Sequence, residues 1–429
     1  MNKLEKVILF VFLLLTLSGA LRKWIIDNAI INIILTAIPL LSTFIILFFY
    51  NRSLPQDRKL YNSQYSKLLV VFLFCLIPMA ANPLNLTAIH GIVGILIHSS
   101  FWLLLFAYLS NRDIINLKKL FPYFIIMSVI QVGIGLLQYN SSPDAAINQY
   151  TQSDISSIYN DVKDIEEDLV HVATVGNATR SSGTFSYIGG YSSYIFFTIY
   201  LFISYYNKSK NAYVLIALFT LSLLGTLTTG SRSSLIIFTS IIIAFFAFQT
   251  KEKGFLIKML SIASLLIVLN IGLGDIMGIQ KQFVSSTENI TERILTNQEE
   301  GSRRISGPIN SLISPETPYP FVGIGLGASY QGINSLFGSS EYNSGTEHEI
   351  GRTLIDGGFI LLFLKFALFF FMIKNLEGNI FFYIITLPII FLTTLITTNP
   401  YTNFYLVLGI MLLDNILYME KRSHGKNPQ

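Results

Sequence analysis

The sequence predicts an all-α protein, a polytopic membrane bundle of about twelve transmembrane helices. Three observations lead there. Apolar residues fill 52% of its 429 positions and charged ones only 13%, where a soluble protein carries about a quarter charged residues. Apolar runs long enough to cross a bilayer as helices recur from end to end. The polar segments between them alternate in charge, as the two sides of a membrane require.

Taken in order, the runs lie near 7–20, 29–50, 67–82, 87–110, 119–138, 189–206, 212–229, 232–249, 255–274, 353–373, 379–397 and 402–419. The first could pass for a signal peptide. It runs into Leu21-Arg22-Lys23-Trp24 instead of a small-residue cleavage site, so it reads as a retained span. With the N-terminus inside, the cytoplasmic segments hold Arg52, Arg58 and Lys59, then Arg112, Lys118 and Lys119, then Lys208 and Lys210, Lys251 and Lys253, Lys374, and finally Lys421, Arg422 and Lys426. Every inside segment is basic, and the even count puts both termini in the cytoplasm. Residues 1–429 then form one integral-membrane domain with two long extracytoplasmic segments, 139–188 and 275–352.

The first of these carries Ile155, Ile158, Val162, Ile165 and Leu169 in steps of three and four, one stripe on a helix. Asp161, Asp164, Glu167 and Asp168 take the other face, and Ser153 or Asp154 is a candidate N-cap. The simplest reading is a surface helix packed on the membrane domain. The second excursion is rich in turn residues: Gly301, Gly307-Pro308, Pro315, Pro318, Pro320, Gly323, Gly325 and Gly327. Long ordered loops usually carry function.

Some function classes fall away. The one cysteine, Cys75, excludes an intrachain disulfide framework. No basic stripe points to nucleic acid, and the net charge of +4 reflects the cytoplasmic loops. No Walker pattern, dinucleotide fingerprint, HExxH or CxxC is present, so no nucleotide-linked donor or cofactor is expected.

The arginines carry the functional signal. Arg180, Arg232, Arg303, Arg304 and Arg352 fall on the outer side, against the positive-inside rule. A guanidinium's planar fork suits phosphate or carboxylate, so together they point to a site for an anionic, lipid-anchored substrate. Singly, each can also be an arginine snorkelling at the interface. The small neighbours of two of them, Gly183, Gly230 and Ser231, are expected to let an anion reach backbone N–H groups as well. Arg22 and Lys23 read equally as interface anchors or substrate contacts.

The stretch Gly345–Gly358 re-enters the membrane. With a helix started by 349, Glu349, Arg352 and Asp356 share one face. His348 lies between Glu347 and Glu349, a pattern that suits a general base. It also suits a plain helix start with a structural ion pair. Glu347, His348, Glu349 and Asp356 could hold a metal, but the arginines make a metal-free phosphate site simpler. His90 and His98, in the fourth span, are functional suspects or neutral packing residues.

The order of several short pieces resembles the bacterial O-antigen ligase/polymerase superfamily. The pieces are Gly19–Trp24, Leu137-Gln138 through Ile147-Asn148, Arg180 with Gly183-Thr184-Phe185, Gly230-Ser231-Arg232, Arg303-Arg304 ahead of Pro320–Gly325, and Glu347–Gly358. The resemblance implies a glycosyltransferase of the inner membrane that takes undecaprenyl-diphosphate-linked glycans and passes the glycan to an acceptor; no cofactor is expected. A flippase and a chain-length regulator would be its protein partners. Arg180, Arg232 and one of Arg303 and Arg304 would hold the diphosphate, with Arg352 as a further cation and Asp356 and His90 in support. His348 would be the base. The ligases carry a His-Asn pair where this chain has Glu347-His348-Glu349, which leaves Glu347 and Glu349 as rival bases. Polymerase and O-antigen ligase both remain open. A lipid-linked glycan flippase, or a non-enzymatic member of an assembly complex, would be polytopic too.

Overall fold

The computed structural model describes residues 1–26, 28–53, 63–142, 145–148, 174–175, 178–208, 211–248, 312–313, 319–330, 332–334, 338 and 348–423. Eleven helices account for most of them. They are α1 (Lys3–Ala20), α2 (Ala29–Ser53), α3 (Gln64–Ala80), α4 (Ala88–Asn111), α5 (Phe121–Asn140), α6 (Ile188–Lys208), α7 (Ala212–Thr228), α8 (Arg232–Phe248), α9 (Glu349–Asn375), α10 (Ile380–Thr393) and α11 (Pro400–Ser423). A π turn over Leu21–Ile25 follows α1, a 3-10 turn over Leu117–Leu120 leads into α5, and Thr174–Val175 pairs antiparallel with Ala178–Thr179.

Each helix falls on an apolar run expected from the sequence; the run at 255–274 lies outside the described residues. Among the described residues five helical stretches are long and apolar enough to cross a membrane: Lys3–Ile25, Ala88–Asn111, Leu117–Asn140, Glu349–Asn375 and Pro400–Ser423. Shorter apolar helices lie at Ala37–Tyr50, Gln64–Ala80, Ala212–Thr228, Ser233–Phe248 and Ile380–Thr393. Polar side chains set several helix starts. Ser63 forms a capping box with Ser66, and Thr87, Asn211 and Asn379 cap α4, α7 and α10.

Two compact units, each built from separate stretches of chain, make up the fold. The first holds α3, α4, α9, α10, the start of α1, most of α2, the first turns of α11 and the described part of 302–348. Its core is aromatic: Phe72, Phe101, Trp102, Phe369 and Phe391 meet ring to ring at centroid distances of 4.8 to 6.3 Å.

The second unit holds the rest of α1 with its π turn, the start of α2, α5, α6, α7 and α8, and the remainder of α11. At its centre α6 is buried nearly all round. That explains its Ser and Thr content among many aromatics, for such a helix meets other helices on all sides. Small residues let the helices approach: a Cβ on Gly135 would strike the Tyr191 ring, and one on Gly225 would strike Ile195. In both units large apolar side chains such as Phe74, Ile126, Phe363 and Phe370 stand exposed, as a lipid-facing surface requires.

Candidate functional site

In the first unit the site begins where α9 begins. His348 is extended (φ −123°, ψ 151°) and caps the helix, its Nδ1 accepting the Gly351 N–H at 3.0 Å. A neutral imidazole that accepts at Nδ1 carries its proton on Nε2. As placed, the His348 lone pair is committed to the cap, and taking a substrate proton there requires that bond to open.

Glu349 is the first residue of the helix proper. Its carboxylate is fully buried. Oε1 accepts from Lys365 Nζ at 2.8 Å and from the Thr397 hydroxyl. Oε2 accepts the backbone N–H groups of Ile396, Thr397 and Thr398 at 2.9, 3.1 and 3.3 Å, and the Thr398 hydroxyl at 3.0 Å. Six donors fill the roughly four lone-pair positions of a carboxylate. Glu349 thus ties the start of α9 to the α10–α11 connection, the geometry of an anchor. Lys365 completes the knot with bonds of 2.8 Å to Thr353 and 2.6 Å to Thr397.

Glu349 and Lys365 are sixteen residues apart on one helix. A straight helix would separate them by about 24 Å, far beyond side-chain reach. They meet because α9 breaks at Gly358 (φ 62°, ψ −162°), a backbone conformation open to glycine alone. The span expected at 353–373 is therefore two helical pieces turned sharply on each other. The groups released at the break find partners in the loop at 319–325: Ile324 N–H donates to Ile355 O at 2.8 Å, Gly325 N–H to Asp356 O at 3.2 Å, Phe359 N–H to Pro320 O at 2.8 Å and Ile360 N–H to Phe321 O at 3.2 Å. The run Gly323, Gly325, Gly327 takes positive φ at each glycine and lies against Ile355–Gly357, Asn85 and His90 respectively.

Asp356, just before the break, holds the loop and α4 together. One oxygen accepts Ser329 N–H and the other meets His98 Nε2, both at 2.8 Å and fully buried. His98 is thus part of the same buried polar knot. His90 is tied by Thr87 at 2.8 Å, Asn334 at 3.2 Å and the Gly338 carbonyl at 3.3 Å, which makes it a strut between α4 and the 328–338 segment. Arg352 is nearly buried at 6% exposure, and its N–H donates to the His348 carbonyl. The shared face of Glu349, Arg352 and Asp356 exists, but the two carboxylates turn to different partners. Among the described residues no group of three or more His, Cys, Asp or Glu side chains is placed to hold a metal.

In the second unit the loop Arg180–Tyr187 is set by α5. Gln138 Oε1 accepts the Ser182 and Gly183 N–H groups at 3.1 and 2.8 Å, and Gln131 Oε1 accepts that of Thr184 at 3.1 Å. The Gly230 and Ser231 N–H groups are taken by Leu227 O and Thr229 Oγ1. Here the sequence expectation needs correction. The glycines serve close packing, Gly183 against Gln131 and Tyr191 and Gly230 against the Arg180 side chain, and these N–H groups are already bonded within the protein. An anion here would meet side-chain cations.

Those cations gather on the loop. Arg180 Nε donates to the Thr229 carbonyl at 3.0 Å. The π turn after α1 brings Arg22 to Ser186 at 3.0 Å and places Lys23, 1% exposed, against the Ser182 hydroxyl. π turns often mark functional sites, because they turn out side chains that an α-helix would hold in register. Arg232 is the first residue of α8, two residues beyond Gly230. Arg303, Arg304, Glu347 and the acidic helix expected at 154–169 lie outside the described residues. Sequence reasoning missed Lys365, although a lone lysine inside an apolar run is a standing signal.

Comparison with protein-family models, curated proteins and solved structures returns no match.

Proposed function

We propose that this membrane-embedded protein is a glycosyltransferase of polysaccharide assembly, working through about twelve spans with both termini in the bacterial cytoplasm. Its donor is an undecaprenyl-diphosphate-linked oligosaccharide, which it polymerises or ligates on the outer face of the cytoplasmic membrane. The observation that supports this reading is the gathering of Arg22, Lys23 and Arg180 on one loop of the second unit, with Lys23 buried. Basic groups gathered in this way suit a phosphate-bearing partner.

In this reaction the acceptor hydroxyl attacks the anomeric carbon, the bond from that carbon to the diphosphate oxygen breaks, and the diphosphate leaves with the electron pair. Cations spread over that growing charge lower the barrier. His348 takes the hydroxyl proton at Nδ1 once the Gly351 bond opens. Glu349, locked in its knot, positions His348.

The test uses the full chain in liposomes with a lipid-diphosphate-linked oligosaccharide. Release of undecaprenyl diphosphate together with a lengthened glycan is expected. Arg232→Lys, which keeps charge but loses the fork, should fall well below wild type; full activity of Arg232→Ala removes that residue from the proposal. Sidedness is checked with an impermeant thiol reagent in a Cys75→Ser background: Ser156→Cys and Ser339→Cys should label in intact cells.

A second reading, a flippase for lipid-linked glycans, is favoured by the broken helix and the charges buried beside it. Movement of the lipid-linked glycan across the bilayer with no new glycosidic bond would select it.

A further inference from the structure

We infer that the loop at 319–322 lies inside the hydrocarbon layer, where the acyl chains of bilayer lipids cover it. This placement requires α9 to cross the membrane and does not depend on the enzymatic activity proposed above. One edge of the bilayer is marked at the far end of α9. Arg112 donates to the Asn375 carbonyl at 3.2 Å and pairs with Glu377 at 3.8 Å, and Lys374 turns back over the Phe370 ring at 4.2 Å. From Lys374 the helix climbs about 22 Å to Phe359, still roughly 8 Å short of the far edge of a 30 Å hydrocarbon core. Any tilt brings Phe359 deeper. At that level the loop is fastened to the helix, Pro320 O and Phe321 O accepting the N–H groups of Phe359 and Ile360.

What the loop shows there is apolar. Phe321 is 69% exposed, with Tyr319 and Val322 exposed beside it. The Phe321 ring lies 6.1 Å from that of Phe359. Its exposure continues the stripe of Ile360, Phe363, Phe366 and Phe370 along α9, so the same hydrocarbon covers both. At membrane depth irregular backbone is tolerated only where the backbone itself is buried in protein or lines a water-filled cavity, so here the side chains and not the amides must meet the lipid. Much of the loop backbone is taken up in this way: Val322 and Gly323 N–H donate to Tyr319 O, Ile324 and Gly325 N–H to the carbonyls freed at the α9 break, and Leu326 N–H to Met79 O. The break at Gly358 thus does two things, folding α9 and supplying partners for a loop that would otherwise carry bare amides into lipid.

Nitroxide labels on the full chain in liposomes test this. In a Cys75→Ser background, labels are placed at Phe321→Cys and Val322→Cys, with Phe363→Cys as the lipid-facing reference and Arg422→Cys, exposed at the charged end of α11, as the aqueous one. Collision with oxygen relative to a water-soluble nickel chelate should be several-fold higher at Phe321 than at Arg422, and close to the Phe363 value. Nickel access as high as at Arg422 overturns the inference, because the loop is then in water. Access by neither agent overturns it too, because protein and not lipid covers the loop. Should Phe321→Cys fail to fold, the Val322 label gives the same readout.

Discussion

The two units use buried charge in opposite ways. In the first, the Lys365 ammonium faces the Glu349 carboxylate and Asp356 bonds His98, and the result is a knot that fixes the α9 break. In the second, Arg22, Lys23 and Arg180 bond to serine hydroxyls and a carbonyl around one loop. The contrast sets charge that fixes shape against basic groups that, on the proposed function, serve a ligand. Breaking one partner of a buried ion pair leaves an uncompensated charge, whereas removing a cation from a loop built for an anion relieves repulsion and weakens binding.

The largest effect is therefore expected at Lys365. Lys365→Met leaves the Glu349 carboxylate buried without its counter-charge and should destabilise by about 3–5 kcal/mol, read as a lower unfolding midpoint in detergent. Glu349→Gln added to Lys365→Met should recover much of that loss. Lys23→Met should behave the other way, holding or raising stability while donor turnover falls. Equal destabilisation by Lys365→Met and Lys23→Met would erase the distinction between the units.

Gly358→Ala comes next. Its backbone lies where only glycine is at ease, and a Cβ there would strike the Phe321–Val322 backbone. Strain of this type costs roughly 1–3 kcal/mol, and the collision adds to it. The change should also free the 319–325 loop, seen as faster amide exchange at Ile324 and Gly325. An unchanged exchange rate would mean that the loop holds its place without the break.

The helices were legible in the sequence because their signal is local: an apolar run in a membrane protein is a helix whatever it packs against. The start of α9 at Glu349 was legible for the same reason. The break at Gly358 was not. Gly357-Gly358 is visible in the chain, but two glycines become a break only when Pro320–Gly325, more than thirty residues upstream, supplies the missing hydrogen-bond partners. The Glu349–Lys365 pair follows from that break and was hidden with it. In the second unit the basic residues were visible, yet of the N–H groups thought open to an anion that of Gly183 is taken by Gln138, and those of Gly230 and Ser231 by Leu227 O and Thr229 Oγ1. A glutamine inside an apolar run gives no hint of which loop it will hold.

The smallest stability effect and the sharpest functional one meet at His348. As an N-cap it accepts the Gly351 N–H, and His348→Ala should lose about 1 kcal/mol, within the 0.5–2 kcal/mol range of other caps. As a general base its loss should slow turnover by roughly 10²–10⁴-fold. Alanine removes both roles at once, so it cannot separate them. Asparagine can, because it caps helices well and cannot take a proton near neutral pH. If His348 is the base, His348→Asn restores the unfolding midpoint while turnover stays as low as in His348→Ala, with donor binding retained in both. If turnover returns with the cap, the imidazole is a structural residue at the mouth of α9. The base must then be sought elsewhere, first at Glu347, whose Glu347→Gln variant should in that case be the inactive one.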